Sequence, residues 1–515
     1  MTRLNIGVDV GGTNTDAVVV RGRDVLAMFK QPTSSDVLGG VVGAIRAVLQ
    51  HSGIDANHVD TVMIGTTHFT NAVVEAKHLA RTAAIRLAGS ATRAIPPMLD
   101  WPSRLRQVVD GGSYILSGGF EFDGRPISPL DEAQVRSVAV ELRDEGIGTA
   151  AVTSVFGPVN PSDEERVAQL LAEAHPHASV SLSTRIGRIG LIERENATIL
   201  NASLRPLADK IVTAFQQAIA DLGMHAPMYL SQNDGTLMGA EQTRHYPVST
   251  FASGPTNSMR GAGALSGLTD CAVIDIGGTT TDIGILRSGF PREAPMSIDI
   301  GGVRTNFRMP DLVSVGIGGG SMVRIGEQVT VGPDSVGYEL TERALVFGGD
   351  VLTATDIAVA AGLAEIGDPA LVAHLDTRIV DEAVAVMRAA IAETLDAMKT
   401  SPDPIPVVLV GGGSILVDDD IPGASRVMRP PHAGVANAIG AALSQVGAQV
   451  DRVVALDGTT RQEALSAISD EARARCVKAG AKAETVRVVD VDEVPLAYLP
   501  SNAVRISLRV VGDLS

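Results

Sequence analysis

A chain of 515 residues is too long for one ordinary hydrophobic core, so two or three domains are expected. Its 45% hydrophobic and 20% charged residues make a globular composition and exclude a disordered chain. A formal net charge of −17 argues against a nucleic-acid or anionic-membrane surface. It leaves open a small anionic ligand, which backbone N–H groups and a metal ion can hold without lysines.

Two cysteines, Cys271 and Cys476, allow neither a disulfide framework nor a thiolate metal site, and both read as inert. Asp9 interrupts any signal-like apolar core near the N-terminus, and no apolar run reaches the roughly 18 residues that span a bilayer. The cytoplasm is the expected location.

In chain order, LNIGV (4–8) and AVVV (17–20) read as strands around a small polar turn, with VLAMF (25–29) as a third antiparallel strand. A helix over 36–50, a buried strand over 59–65, a helix over 69–78 and a strand over 82–87 follow. The Gly- and Pro-rich stretch 90–130 predicts loops or an inserted hairpin. Helices over 131–145 and 161–174 alternate with strands over 149–155 and 178–183. Helical spacing then runs from Ile192 to Leu222, where Pro206 is expected to kink or divide it. CAVIDIGGTTTDIGIL repeats the opening strand–turn–strand, and Gly-rich loops fill 299–350. A helix over 377–399, a strand over 406–410 and a small-residue helix over 434–443 precede a tail of strand, helix, strand, strand from 451. The implied domains are 1–190, 191–450 and a small α/β module, 451–515.

The repeated turn carries the chemistry. DVGGTNTD (9–16) recurs as DIGGTTTD (275–282). Paired glycines permit φ > 0 and remove the Cβ atoms that would block a close ligand. Successive N–H groups in such a turn can cradle phosphate oxygens, and Thr13, Thr15, Thr279 and Thr281 add short-reach donors. Asp9 and Asp275, at strand ends, can hold Mg²⁺ directly or through water. One such turn is also an ordinary hairpin; two copies heading separate α/β units would place both across one cleft around one polyphosphate. GxxxxGK[ST] is absent, and the turns lead into strands rather than helices, which disfavours a P-loop or a Rossmann site.

This pattern resembles the actin, sugar-kinase and acetate-kinase superfamily, and PVVLVGGGS (406–414) matches its adenosine element. GTTHFTNAVVE (65–75), SGP (253–255), RGA (260–262), GIGGGS (316–321), VGPDSVG (331–337) and TATDIAVAAG (353–362) are similar to hydantoinase/oxoprolinase family patterns, in the same order over about residues 3–450. SGPTNS (253–258) departs from that family's usual SGPAGG, and Asn233-Asp234-Gly235 from its Asn-Gly-Gly.

The resemblance implies an α/β fold with two actin-like (ribonuclease H-like) ATPase domains facing a nucleotide cleft. It implies ATP and Mg²⁺ as cofactors, with Asp9 and Asp275 on the metal. Gly11, Gly12, Thr13, Asn14, Gly277, Gly278, Thr279 and Thr280 would hold the phosphates, with Gly318 and Gly319 beside them. Gly411, Gly412 and Gly413 would meet the adenosine. Asp16 and Asp282 would orient the hairpins or the attacking group. Thr66, Thr67 and Asn71, at a strand-to-helix junction, would hold the substrate or the γ-phosphate; helix capping is their bland alternative. The implied reaction is ATP-dependent opening of a hydantoin- or oxoproline-like cyclic amide, in which phosphoryl transfer to the amide oxygen prepares the carbon for water. A second, hydantoinase B-type subunit is the implied partner, and self-association stays open.

Two other functions fit the same cleft. A small-molecule kinase would need a base, for which Asp234 is the one nominee; a nucleotide-dependent activator of another enzyme would not need GTTHFTNA. Glu193, Arg194, Asn196 and Asn201 read mostly as a solvated helix face, and Asp234 and Asp356 as a turn and an N-cap or, equally, as a base or metal contact. His68 reads as a base, a ligand or a plain helix-start residue, His432 as a loop residue, and Asp418–Asp420 as a solvated charge run.

Overall fold

The computed structural model describes residues 3–11, 13–33, 36–294, 297–497 and 502–515. Its first strand, Leu4–Val10, pairs antiparallel with Asn14–Arg21, which pairs with Asp24–Pro32. Thr61–Gly65 lies parallel to the first strand on its other side, and Met228–Ser231 lies parallel to Thr61–Gly65. The second copy repeats this. Phe290–Pro291, Thr281–Arg287 and Cys271–Ile276 are antiparallel neighbours, and Ile405–Val410 and Ala424–Met428 continue in parallel. Three antiparallel strands followed by two parallel ones, twice, is the ribonuclease H-like order.

The sheets do not divide at residues 190 and 450. The first grows to nine strands by adding Thr236–Gly239, Gln445–Val454, Val504–Gly512 and Arg487–Pro495. The tail is therefore an extension of the first sheet, clamped by helix Arg461–Lys478 through Ile468, Ala472 and Cys476. A four-stranded parallel sheet (Asp110–Leu116, Thr82–Leu87, Thr149–Ser154, Ser179–Leu182) completes the structure's larger sheets among the described residues.

One of those strands lies where loops or a hairpin are expected. Asp110–Leu116 begins Asp-Gly-Gly, which reads as a turn. A Cβ at Gly111 would lie 2.8 Å from the backbone of Thr82, and Gly112 has φ +109°, so the glycines admit close strand approach. Short strands also occupy the expected loops of 299–350, including Leu312–Val315 against Thr281–Arg287. The long helix Leu191–Asp221 runs through Pro206 without dividing. Its stretch from Arg194 to Leu204 is buried throughout, so packing holds what the missing N–H weakens.

Two helices fill the space between the nine- and six-stranded sheets. Ser253–Ser266 and Ala436–Leu443 touch backbone to backbone: a Cβ on Gly261 would lie 1.8 Å from the Ala436 oxygen, and one on Gly440 would lie 1.8 Å from the Asn257 oxygen. Gly7 likewise admits Ala438 against the first strand.

Candidate active site

Each hairpin closes in the same register. Asp9 faces Asp16 and Asp275 faces Asp282. Gly11 N donates to Asn14 O at 2.9 Å, and Gly277 N to Thr280 O at 2.8 Å. The tips face one another: a Cβ on Gly278 would lie 3.3 Å from Thr13 Cγ2 and 3.4 Å from Thr13 Oγ1. Thr279 and Thr280 are exposed there, while Thr15 and Thr281 are buried and bonded to Thr33 Oγ1 and Ile317 O. Gly12 lies outside the described residues.

The helix Ser253–Ser266 joins the two copies. Asn257 donates to Asp9 Oδ1 at 2.9 Å, and the next residue, Ser258, hydrogen-bonds Asp275. Asn437, from the partner helix, donates to Asp9 Oδ2 at 3.0 Å. The TNS of SGPTNS, more polar than the family's AGG, thus supplies a ligand to each hairpin acid. Burial pushes the carboxyl of Asp9 up to about 6, against the opposing Asn257 bond and with help from Asp16. Burial pushes Asp275 up to about 6 as well, opposed by Ser258 and reinforced by Asp282 and Asp9.

The second acids differ. Asp16 is raised by burial but opposed by Lys30, whose ammonium lies 2.8 Å from Oδ1. Asp282 is raised by burial and opposed only by the Ser314 hydroxyl.

The glycine loops split by role. Gly319 N donates to Gly277 O at 3.0 Å and Gly320 N to Gly278 O at 2.7 Å, while a Cβ on Gly318 would lie 2.6 Å from Thr279 N. Gly318 and Gly319 therefore brace the second hairpin from behind. Gly411 (φ +83°) sits against Asp275 and Gly413 against Ile276; Gly412 alone of the three faces open space.

The GTTHFTN segment starts beside Asp9, since a Cβ on Gly65 would lie 2.0 Å from Asp9 Oδ1. Thr66 is buried and bonded through its backbone to Ser253 Oγ. Thr67 precedes helix His68–Glu75 without capping it through its side chain, and Asn71, exposed, donates to Thr67 Oγ1 at 3.4 Å. Burial lowers the His68 imidazole to about 4, so it is neutral, set against Thr66 Oγ1 and edge-on to Phe215.

Several other residues lie away from the hairpins. Asp234 Oδ1 accepts from Thr236 N and Oγ1 in a tight turn, and Asp356 forms a capping box with Thr353. His432 is exposed at φ +64°, and Asp418 and Asp419 pair with Arg388 and Arg429. Cys271 and Cys476 are buried, their thiols pushed up to about 12 and about 11.

The solvated helix face is a misreading. Arg194, Asn196 and Asn201 are buried, bonded to Ser183 Oγ, to Trp101 Nε1 and Arg304 O, and to Ser181 Oγ and His245 O respectively. Glu193 pairs with Arg304. The helix threads between sheets, so its polar side chains find partners inside. Glu195, paired with buried Arg86 at 2.8 Å, and the two asparagines on Asp9 carry no signal in spacing, because their partners lie far away in sequence.

Comparison with known proteins decides the family. Residues 5–175 match the hydantoinase/oxoprolinase N-terminal region and residues 194–368 match hydantoinase/oxoprolinase. The chain belongs to the hydantoinase/oxoprolinase family. It is 26% identical over 421 residues to caprolactamase subunit alpha of Pseudomonas jessenii, covering 76% of this chain and 59% of that one. It is 27% identical over 252 residues to the acetophenone carboxylase gamma subunit of Aromatoleum aromaticum, covering 46% and 34%. The chain thus spans less than two thirds of the curated relatives it matches. Its fold is that of the ATP-dependent caprolactamase structure from Pseudomonas jessenii, with a TM-score of 0.79 at 19% identity over 99% of this chain and 88% of that one. Nucleotide-free acetone carboxylase matches with a TM-score of 0.66 at 17% identity, over 100% and 88%. Among the described residues, no helix is long and apolar enough to cross a membrane, and no three His, Cys, Asp or Glu side chains gather as a metal site.

Proposed function

We propose that this chain is the nucleotide-handling subunit of an ATP-dependent enzyme that opens a hydantoin- or oxoproline-like cyclic amide. The observation that carries this reading is the apposition of the two DxGGTxTD tips, with Asp9 and Asp275 tied to one helix between them. The residues present suit Mg²⁺ and a triphosphate. Mg²⁺ is commonly held by one or two carboxylates while keeping several waters. Asp9, whose two oxygens each accept one amide bond, would meet it through water, and Asp275 would complete the pair. Bound there, Mg²⁺ would neutralise charge on the phosphate oxygens.

The backbone of Gly11, Gly277 and Gly278 and the hydroxyls of Thr13 and Thr279 would hold the phosphates, with the nucleoside over Gly412. Thr66 and Thr67 would bring the amide toward the γ-phosphate. Transfer of the phosphoryl group to the amide oxygen breaks its bond to ADP. Water then attacks the carbon and the ring nitrogen leaves as an amine, taking a proton; a second water cleaves the acyl phosphate that remains and releases phosphate. The protein's contribution is positioning and fixed dipoles, as in other phosphoryl transfers. Likeness to an acetophenone carboxylase subunit supports a second reading, in which the same cleft activates a ketone oxygen for carboxylation. A kinase reading lacks its base, since Asp234 Oδ1 is committed to its turn.

The test is phosphate release from ATP and Mg²⁺ over a panel of hydantoins, oxoproline, lactams and ketones with bicarbonate, with the chain alone and with a second subunit supplied. Release stimulated by a cyclic amide supports the reading. Stimulation only by a ketone with bicarbonate favours carboxylation, and a stable phosphorylated product would refute both.

A further inference from the structure

The strands that carry the two hairpins meet again at their opposite ends. Asn5 stands four residues before Asp9, about 13 Å away at about 3.3 Å per residue of strand. Asn5, the Gly22–Arg23 turn, Thr269 and the Ser288–Phe290 turn line a cavity of about 590 Å³. Gly263 and Leu443, near the ends of the two glycine-seamed helices, close one side. This volume suits a small organic ligand.

The lining has an unexpected charge. In a chain of net charge −17, it includes Arg3, Arg23, Arg260, Lys482 and Arg487 against one acid, Asp513. Asp513 accepts from Gln445 Nε2 at 2.6 Å. Arg3 and Arg260 donate to the backbone oxygens of Ser515 and Gly289. Among the described residues, Arg23, Arg260, Lys482 and Arg487 have no Asp or Glu carboxylate within 4.0 Å, while Arg3 is answered by the terminal Ser515.

Arg260 sits deepest. Its guanidinium lies 4.1 Å from the Phe290 ring centre, and that of buried Arg509 lies 5.1 Å from the same ring. Arg260 Nε and Arg509 Nε and Nη1 are buried with no hydrogen-bond acceptor. Burial and the neighbouring charges of Arg509 and Arg487 lower the Arg260 guanidinium to about 10, opposed by the more distant carboxylate of Asp234. Arg509 lies outside the lining and is paired with Glu293 at 3.6 Å and Asp490 at 3.8 Å, so it is Arg260, lining the cavity with an unanswered Nε, that favours an anion supplying oxygens to its charge and its N–H groups.

We propose that this cavity binds a phosphate-bearing small molecule, its anionic end against Arg260 and Arg487, at a site separate from the hairpin cleft. Rim residues Arg23 and Lys482 are exposed and complete the charge without being needed for folding.

Calorimetric titration of the full chain with inorganic pyrophosphate, in buffer containing EDTA, tests this. Saturable binding is expected, weakened at least 10-fold in Arg487→Ala and in Lys482→Ala/Arg23→Ala at unchanged melting temperature, and more strongly in Arg260→Met. It should be unaltered in Thr279→Val, which removes a phosphate donor at the exposed hairpin tip. If Arg260→Met does not fold, the exposed rim variants carry the test. Absence of binding, equal affinity in wild type and rim variants, or loss in Thr279→Val with the rim variants unaffected would overturn the proposal. So would tight binding of a polyglutamate peptide with none of pyrophosphate, which would mark the cavity as a seat for an acidic protein segment.

Discussion

Asp9 and Asp275 hold equivalent register positions, yet two amides grip the first and one hydroxyl the second. Asp9→Asn and Asp275→Asn should each lower ATP turnover at least about 100-fold, the scale of losing one aligned electrostatic group, with melting temperature kept or raised. Normal turnover in both would remove them from the site. His68 gives a pH test. Its folded imidazole lies at about 4 against 6.5 unfolded, so the unfolded chain binds the extra proton between those values. Stability is therefore full above pH 6.5 and falls as pH drops toward 4, by up to about 3 kcal/mol. His68→Gln should flatten the melting temperature over pH 7 to 5; an unchanged slope would show that other groups set it.

The hairpins, the first five alternating elements and the late strand before Gly411 are legible in the sequence because their signals are local: a small polar turn between apolar runs, or a strand ending in glycine. The long helix shows why other parts are not. Asn196 and Asn201 look like solvent-facing residues until Trp101 and the strand at Ser181 are brought to them by the fold. Gly111 and Gly112 read as a turn for the same reason, their strand role being set by Thr82 across the sheet. Buried Arg86 and Glu195 form the strongest test of that hidden network. Arg86→Met should cost about 3–5 kcal/mol by stranding a carboxylate, and adding Glu195→Met should restore part of it. A double variant as unstable as the single one would contradict the pairing. Gly440→Ala, which would drive a Cβ into the Asn257 carbonyl, should cost about 3 kcal/mol or more. A melting temperature within a degree of wild type would show that the helices separate freely.

At the scale of the molecule, the tail does not behave as the small module its composition suggests. Gln445–Val454 pairs with Thr236–Gly239 on one edge and Val504–Gly512 on the other, so it lies inside the first sheet. The alternation of strand and helix was readable from 451 onward; the sheet it joins was not, because register between distant strands leaves no local trace. Ending the chain at Leu443 should leave an apolar edge and give aggregated protein, where a free-standing module would leave a soluble, folded remainder.

The bonds from Leu191–Asp221 to Arg86, Trp101 and Ser154 clasp the four-stranded sheet to the nine-stranded body with charged and amide hooks. At the joint of Gly261 and Gly440 main chain rests on main chain, and the amide hooks of its two helices, Asn257 and Asn437, both reach Asp9 rather than each other. A ligand entering or leaving between the hairpins thus meets two rigid pieces and one smooth bearing. The opening motion this packing predicts is a glide along that bearing, with the small sheet carried as a passenger.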